Sequence, residues 1–330
     1  MKPGNDNILS LDDVKVHFKV GTGSETVKAV DGVTFALAQR DSIGIIGESG
    51  SGKSTLARVL VALLRPTAGT LLQDGVDPYA LSSAERRKKH RQFQIIFQDP
   101  HAALNPRVKI LNSVREPLEI AGLGGRKADR NDQAINMLER VGINSELAQR
   151  YPHELSGGQK QRINIARALI LAPKLLVADE ATAALDVSIQ ADILNLYTDL
   201  KRDLDLTFVC ITHDLAVAVH VSRLIAVMYL GKIVEFAPTD IIRRTSAHPY
   251  TRALLSAEPV ALPKRLQSEK RIILQGEIPS PISPPSGCRF RTRCPIVQPV
   301  CARDAPPLRE VAPEHLVACH FPVRERSTAL

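Results

Sequence analysis

Gly47-Glu48-Ser49-Gly50-Ser51-Gly52-Lys53-Ser54, followed by Thr55, has the residue types and the spacing to hold a phosphate. Glycines let successive backbone N–H groups converge on phosphate oxygens, and a helix beginning near Lys53 aims the positive end of its dipole at the same place. Lys53 is placed to reach the β- and γ-phosphates of a nucleoside triphosphate, and the Ser54 hydroxyl to ligate Mg²⁺. The elements that must position this loop are present. Asp41 to Ile46 reads as a short buried strand, and Lys53 to Leu64 as a helix carrying Leu56, Val59, Leu60 and Leu63. A chance Gly/Ser-rich turn would lack that bracket.

Other stretches carry matching chemistry. Lys174 to Glu180 is an apolar strand ending in two acids. Asp179 would hold Mg²⁺ through water, and Glu180, one residue on, would polarise an attacking water. Acids at strand ends also serve as plain caps, a reading that the upstream phosphate loop weakens. Leu206 to Asp214 is a second buried strand, with Cys210 inside it as inert core and His213 at its tip, able to donate to a γ-phosphate oxygen. Gln98 ends a third apolar stretch, from which an amide reaches Mg²⁺ or a water. Leu155-Ser156-Gly157-Gly158-Gln159 runs directly into a helix through Leu169. Ser156 suits an N-cap and the glycines admit a ligand to the free N–H groups, so this is a second anion-binding helix start; read alone, it is a cap with a flexible lead-in. Two phosphate sites but one phosphate loop suggest pairing of chains. Phe18 offers a flat face for an adenine ring, although a strand-end Phe also packs cores.

The chain of 330 residues and charge +8 allows about two domains with a sizeable core. The basic balance permits a nucleic acid or an anionic membrane face as partner, or a solvated surface. No apolar run approaches the ~20 residues needed to span a bilayer. The N-terminus has no apolar signal core, so cytoplasmic residence is expected. Residues 8 to 40, including Val14–Phe18 and Gly32–Leu37, read as a small antiparallel sheet, and Thr70 to Val76 as a hairpin around Asp74-Gly75. The run Arg86 to Arg91 reads as a solvated helix face, with phosphate or lipid contact as the alternative. Residues 100 to 155 read as helical with breaks at Pro117, Gly122, Gly124 and Gly125, and Asn131 to Val141 carries an apolar stripe through Ala134, Ile135, Met137 and Leu138. The stretch 259 to 287 is rich in Pro and Ser and reads as a semi-rigid linker. It leads to Cys288, Cys294, Cys301 and Cys319, four of the chain's five cysteines. In a reducing compartment such crowding points to a metal or cluster rather than to disulfides: a four-thiolate iron-sulfur or zinc site, with His315 and His320 as substitutes for a thiol in the zinc version, or no metal.

Over roughly residues 8 to 240 this set resembles the ATP-binding subunit of ABC transporters. The resemblance implies an α/β P-loop cassette with a mixed core sheet, an antiparallel β subdomain and a helical subdomain at about 100–170, followed by a helix and Pro-rich linker at 241–287 and a small Cys-containing domain at 288–322. It makes Gly47 to Thr55 the Walker A loop, Phe18 the adenine-stacking aromatic, Gln98 the Q-loop, Leu155 to Gln159 the signature, Asp179 and Glu180 the Walker B pair, Ala184 to Asp186 the D-loop and His213 the switch histidine. Ala183 stands where many relatives carry Ser. The implied mechanism is head-to-tail pairing of two cassettes, each ATP with its Mg²⁺ lying between one Walker A loop and the other signature, with Glu180 as general base. His248 to Leu255, Phe97-Gln98-Asp99-Pro100 with Leu104-Asn105-Pro106, and Val227 to Gly231 are similar to oligopeptide and dipeptide importers, a group that includes nickel and glutathione relatives, and closer to the second of their two ATPase subunits. That likeness implies a paralogous ATPase partner (a homodimer is the alternative), two membrane permease subunits, an extracytoplasmic solute-binding protein acting indirectly, no nucleic acid, and peripheral attachment at the cytoplasmic membrane face. In this group a similar Gly-Cys-x-Phe-x-x-Arg-Cys-Pro pattern carries a [4Fe-4S] cluster. The rival from another class is an ABC-type ATPase acting on nucleic acid or ribosomes, which has two cassettes in one chain or a long coiled-coil insertion; neither is present here.

Overall fold

The computed structural model describes residues 7–21, 25–183, 185–257 and 272–323. In chain order, β1 (Asn7–Lys19) and β2 (Thr26–Ala38) form an antiparallel pair, β3 (Ser42–Ile46) leads into the phosphate loop and α1 (Lys53–Leu60) leaves it. β4 (Ala68–Gln73) returns to β1, and α2 (Ser83–Gln92) and β5 (Phe93–Ile96) follow. The helical insertion comprises α3 (Pro100–Ala103), α4 (Ile110–Ala121), α5 (Lys127–Arg140) and α6 (Gly157–Leu169). Next come β6 (Leu175–Asp179), α7 (Val187–Asp203), β7 (Thr207–Thr212), α8 (Leu215–Val221), β8 (Leu224–Tyr229) and β9 (Lys232–Pro238). Beyond them lie α9 (Thr239–Thr245), α10 (Pro249–Ala257), α11 (Val300–Arg303), β10 (Arg309–Ala312) and β11 (His315–Val317).

The strands form a three-stranded antiparallel sheet, β2-β1-β4, and an eight-stranded mixed sheet, β10-β11-β9-β8-β3-β7-β6-β5. Its parallel part, β8 to β5, is covered on both faces, which is why β3, β6 and β7 are buried at every position. Side chains divide by alternation: Ile43, Ile45, Val177 and Val209 meet α1 and the antiparallel sheet, while Leu176, Ala178, Phe208 and Cys210 meet the helical layer. Cys210 is therefore core, as expected, and burial pushes its thiol up to about 12.

Several local expectations change. The first helix stops at Leu60 because Ala62 turns left-handed (φ 58), and the Leu63 and Leu64 N–H groups fold back to the Arg58 carbonyl. Asp74 and Gly75 do make the tight turn, with Gln73 and Val76 exchanging backbone bonds, but no returning strand follows, and β4 pairs with β1 instead. Pro117 is not a break: it lies inside α4, held by the buried face of Val114 and Leu118 although its ring removes one helical bond, and the helix ends instead at left-handed Gly122. The basic run is a helix with no buried residue, as expected, and Lys89 joins Lys174 on Asp74, each at 3.0 Å. Residues 259–271 of the Pro-rich stretch lie outside the described residues. Residues 272–287 follow the cassette surface, with the Lys28 N–H donating to the Pro281 carbonyl at 3.1 Å. The Cys-containing tail extends the main sheet through β11 on β9 (Leu316 opposite Phe236, Val317 opposite Glu235), and its fully buried Phe290 packs on Tyr229, Tyr250 and His248 at ring distances of 5.3, 5.4 and 5.6 Å. Tail and cassette thus share packing.

Candidate functional site

The C-terminal ends of β3, β5, β6 and β7 meet the start of α1. Parallel strands put all these ends on one edge of the sheet, where ligands of open α/β sheets bind. Gly52 enters α1 at φ 100, and a Cβ there would stand 2.0 Å from the Ala29 carbonyl oxygen, so only glycine lets the loop pass beneath β2. Lys53 is 4% exposed, and its ammonium donates to the Gly47 and Glu48 carbonyls at 2.8 and 3.0 Å. Burial lowers its pKa, opposed by Glu180, Asp179 and Glu48.

Two successive acids reach the same place because the chain turns between them. Asp179 ends β6, and Glu180 adopts a left-handed φ of 48 with its N–H on the Ile211 carbonyl at 2.8 Å, so the alternation of a strand is broken there. Ser54 Oγ donates to Asp179 Oδ1 at 3.0 Å. Burial, then the neighbouring Glu180, raises the Asp179 carboxyl above its ordinary range, and the Ser54 hydrogen bond works against this. Glu180 collects three contacts: Gln98 Nε2 donates to it at 3.0 Å, Lys53 Nζ stands 3.9 Å away and His213 Nδ1 3.7 Å away. His213 is 58% exposed, free to turn toward a substrate. The oxygen donors Ser54 and Asp179, with the amide of Gln98 nearby, suit Mg²⁺, which takes few protein ligands and completes its shell with phosphate oxygens and water.

The cleft is lined by Val27, Ala29, Ser49, Gly50, Gly52, Lys53, Ser54, Thr55, Gln98, Glu180 and Pro281, with a volume near 260 Å³. Gly47, Glu48 and Ser51 lie in the same loop just beneath it. Phe18 is 42% exposed and pairs across the strands with Val27 of the cleft wall, so it has the exposure a stacking platform needs. Leu155 to Gln159 do not line this cleft. There Ser156 caps α6 in a capping box with Gln159, Ser156 and Gly157 lie near the surface, and a Cβ on Gly158 would come within 2.6 Å of Ile189, so that glycine also serves helix packing. Asp186 is the N-cap residue of α7, without a side-chain cap bond; Ala184 of the same loop lies outside the described residues.

Sequence reasoning missed the partners of Glu48. The Tyr250 phenol accepts the Glu48 N–H at 2.9 Å, and Arg293 pairs with the Glu48 carboxylate at 2.6 Å. Arg293 was visible only as a member of the cysteine pattern, and no spacing connects it to a loop 245 positions away.

The four tail cysteines are free thiols. Burial raises the thiols of Cys288 and Cys294 and pushes that of Cys319 up to about 11, with neighbouring thiols adding to its effect. Backbone N–H groups oppose the rise, those of Phe290 and Arg291 at Cys288, Ile296 at Cys294 and Phe321 at Cys319. Among the described residues, however, no three His, Cys, Asp or Glu side chains stand together as a preformed metal site. Of the two histidines, His315 Nε2 is hydrogen-bonded to Glu235 at 2.7 Å and His320 Nε2 to the Asp304 carbonyl at 2.9 Å, which leaves Nδ1 of each ring as the nitrogen for a metal. No helix among the described residues is long and apolar enough to cross a membrane.

Residues 30–183 match the family described as ABC transporter, and residues 234–301 the family described as oligopeptide/dipeptide transporter, C-terminal region. The chain is 46% identical over 322 residues to AppF of Bacillus subtilis, an oligopeptide transport ATP-binding protein, covering 96% of this chain and 98% of AppF. It is 47% identical over 314 residues to YkfD of the same organism, covering 95% of each. A solved dimeric ATP-binding cassette, MJ0796 bound to ADP and Pi, superposes with a TM-score of 0.64 at 30% identity, over 70% of this chain and 98% of that one.

Proposed function

The chain belongs to the ABC transporter ATPases, and from that premise we propose that it hydrolyses ATP to drive a membrane importer of di- or oligopeptides. The observation that carries the ATPase chemistry is the convergence on one strand edge of Ser54 with Asp179, and of Lys53, Gln98 and His213 with Glu180. Support for the peptide class comes from the match of residues 234–301 and from the relatives' names.

In this reading the loop N–H groups and Lys53 hold the β- and γ-phosphates, and Phe18 stacks on the adenine. Ser54 and Asp179, with Gln98, hold Mg²⁺, which neutralises developing phosphate charge. Glu180 accepts a proton from water as the water oxygen bonds to the γ-phosphorus and the bond to the ADP oxygen breaks, giving ADP and phosphate. His213 hydrogen-bonds the transferring group. Because Leu155 to Gln159 lie outside the cleft of their own chain, a second ATPase subunit supplies them, a paralogue in our reading and a second copy otherwise. Asp186 faces that partner. The permeases bind the helical insertion, a solute-binding protein delivers the peptide outside, and the chain sits peripherally at the cytoplasmic membrane face. For the thiols, four free sulfurs in one tail support a [4Fe-4S] cluster, which Cys288, Cys294, Cys301 and Cys319 would hold through their thiolates; in this form they are not assembled as ligands.

The test is uptake of labelled dipeptide, longer peptide and Ni²⁺ by cells lacking this chain, complemented with the intact chain or with Glu180→Gln. Peptide uptake restored only by the intact chain is expected. Failure of both, with nucleic acid rather than membrane subunits co-purifying, would move the protein to the rival class.

A further inference from the structure

Of the three arginines between Cys288 and Cys294, Arg293 reaches the phosphate loop and Arg289 the residues beside it. The Arg293 guanidinium donates to both carboxylate oxygens of Glu48, Nη1 to Oε2 at 2.6 Å and Nη2 to Oε1 at 3.1 Å. Its side chain is 8% exposed and that of Glu48 26%, so the pair is largely withdrawn from water. Such forked, charge-assisted pairs fix orientation as well as distance. Glu48 is held at its backbone too, its N–H on the Tyr250 phenol and its carbonyl on Lys53 at 3.0 Å. Arg289 acts one step away, on the Leu230 carbonyl and the Asp31 carboxylate. The next residue, Gly231, donates to the Ser51 carbonyl at 2.9 Å and accepts the Asp31 N–H at 2.8 Å. The loop is thus pinned at Glu48 and at Ser51 by groups that depend on the placement of residues 288–294. That segment is itself fixed, by the Cys288 N–H on the Cys301 carbonyl at 2.8 Å and by Phe290 buried among Tyr229, Tyr250 and His248.

We propose that Arg293 is a positioning residue for nucleotide binding: through Glu48 it holds the phosphate loop in its binding conformation, so the C-terminal tail is part of how the ATP site is built. The proposal rests on the reading of this cleft as an ATP site. A loop released from Glu48 must be ordered by the nucleotide itself, which weakens binding. Once the phosphates are bound they hold the loop, so the chemical step changes little. The signature of positioning is therefore a loss in Kd and KM with kcat nearly unchanged.

The full chain would be titrated with a fluorescent ATP analogue and Mg²⁺, as wild type, Arg293→Ala, Arg293→Lys, Glu48→Ala and the Arg293→Ala/Glu48→Ala double variant, with steady-state hydrolysis alongside. Arg293→Ala should weaken binding about tenfold while kcat stays within about twofold, and Arg293→Lys should recover part of the loss through a single-pronged contact. The double variant should bind no worse than Glu48→Ala alone, because both changes remove one interaction. Binding by Arg293→Ala within about twofold of wild type, at unchanged far-UV circular dichroism, would overturn the proposal, as would losses that multiply in the double variant. Should Arg293→Ala not fold, Arg293→Lys and Glu48→Gln carry the test: both are expected to weaken binding by about threefold or more, and wild-type affinity in both would overturn it. Wild-type chain that does not bind the analogue at all would instead overturn the ATP-site reading.

Discussion

Replacing Glu235 by alanine should loosen the C-terminal tail from the cassette. Glu235 lies in β9 at 0% exposure, and its carboxylate accepts the Ala247 N–H at 2.7 Å, the His248 N–H at 3.1 Å and His315 Nε2 at 2.7 Å. Ala247 and His248 lead into α10 and His315 opens β11, so one carboxylate ties β9 to both segments beyond it. Alanine leaves two amides and an imidazole without their acceptor. Hydrogen bonds to a charged group contribute about 1.5–3 kcal/mol each, but three donors sharing one carboxylate do not add, and removing the carboxylate also recovers the cost of burying it. A net loss of about 3 kcal/mol follows, on the order of 100-fold in the equilibrium for tail opening. Thiol labelling reads that equilibrium directly, since Cys301 and Cys319 are 7% and 8% exposed and react when the tail opens. Cys210, 5% exposed inside β7, reports opening of the cassette. In reduced, chelator-treated chain, Glu235→Ala should label Cys301 and Cys319 about 100-fold faster than wild type while Cys210 stays slow, and Glu235→Gln, which keeps one acceptor oxygen, about fivefold faster. A change under about threefold for Glu235→Ala would refute the assignment of these bonds as the tie between tail and cassette.

Two further outcomes follow from single residues. Burial holds the His248 ring at about 4 against an ordinary 6.5, with Glu235 opposing, and its neutral Nδ1 accepts the Tyr250 N–H at 3.1 Å. The unfolded chain therefore takes up this proton first as pH falls: the contribution is complete above about pH 6.5 and declines toward about pH 4. Urea midpoints followed by circular dichroism, since the chain has no Trp, should fall across that window and fall less steeply in His248→Asn; equal slopes would count against the buried neutral ring. Gly52→Ala should reduce ATP affinity more than about 100-fold through backbone strain and the clash with Ala29, and wild-type affinity in the fluorescent titration would sink the close-approach argument.

How much could be read from the sequence depended on whether a residue's neighbours are set by local order or by long-range docking. Lys53, Ser54, Asp179, Glu180, Gln98 and His213 were legible because each stands at the end of an apolar strand or the start of a helix. Parallel strands deliver their C-terminal ends to one edge whatever their order in the sheet. The phosphate loop then says which edge. Pro117 misled because a local rule met a buried face strong enough to override it, with Val114 and Leu118 keeping α4 intact around one missing bond. The Asp74-Gly75 turn was right as a turn and wrong as a hairpin, because the partner of β4 is β1, more than 50 residues earlier.

The tail shows the limit most clearly. The crowding of its cysteines pointed to a metal, and that reading absorbed the three arginines between Cys288 and Cys294. Yet the contacts that place the segment are Arg293 on Glu48, Arg289 on Asp31, and β11 on β9. None has a spacing or period of its own, because each pairs a residue of the tail with one fixed by a different part of the chain. A charged residue in a cysteine-rich stretch reads as solvated surface until the fold presents a carboxylate to it. At 8% exposure Arg293 would be costly to hold without one. Glu48 meets that need from within the phosphate loop, so the same contact that lets the tail bury its arginine also constrains the nucleotide site. Folding of the tail and readiness of the loop are then linked in both directions: whatever displaces residues 288–294 loosens Glu48, and nucleotide bound at the loop stabilises the docked tail by mass action.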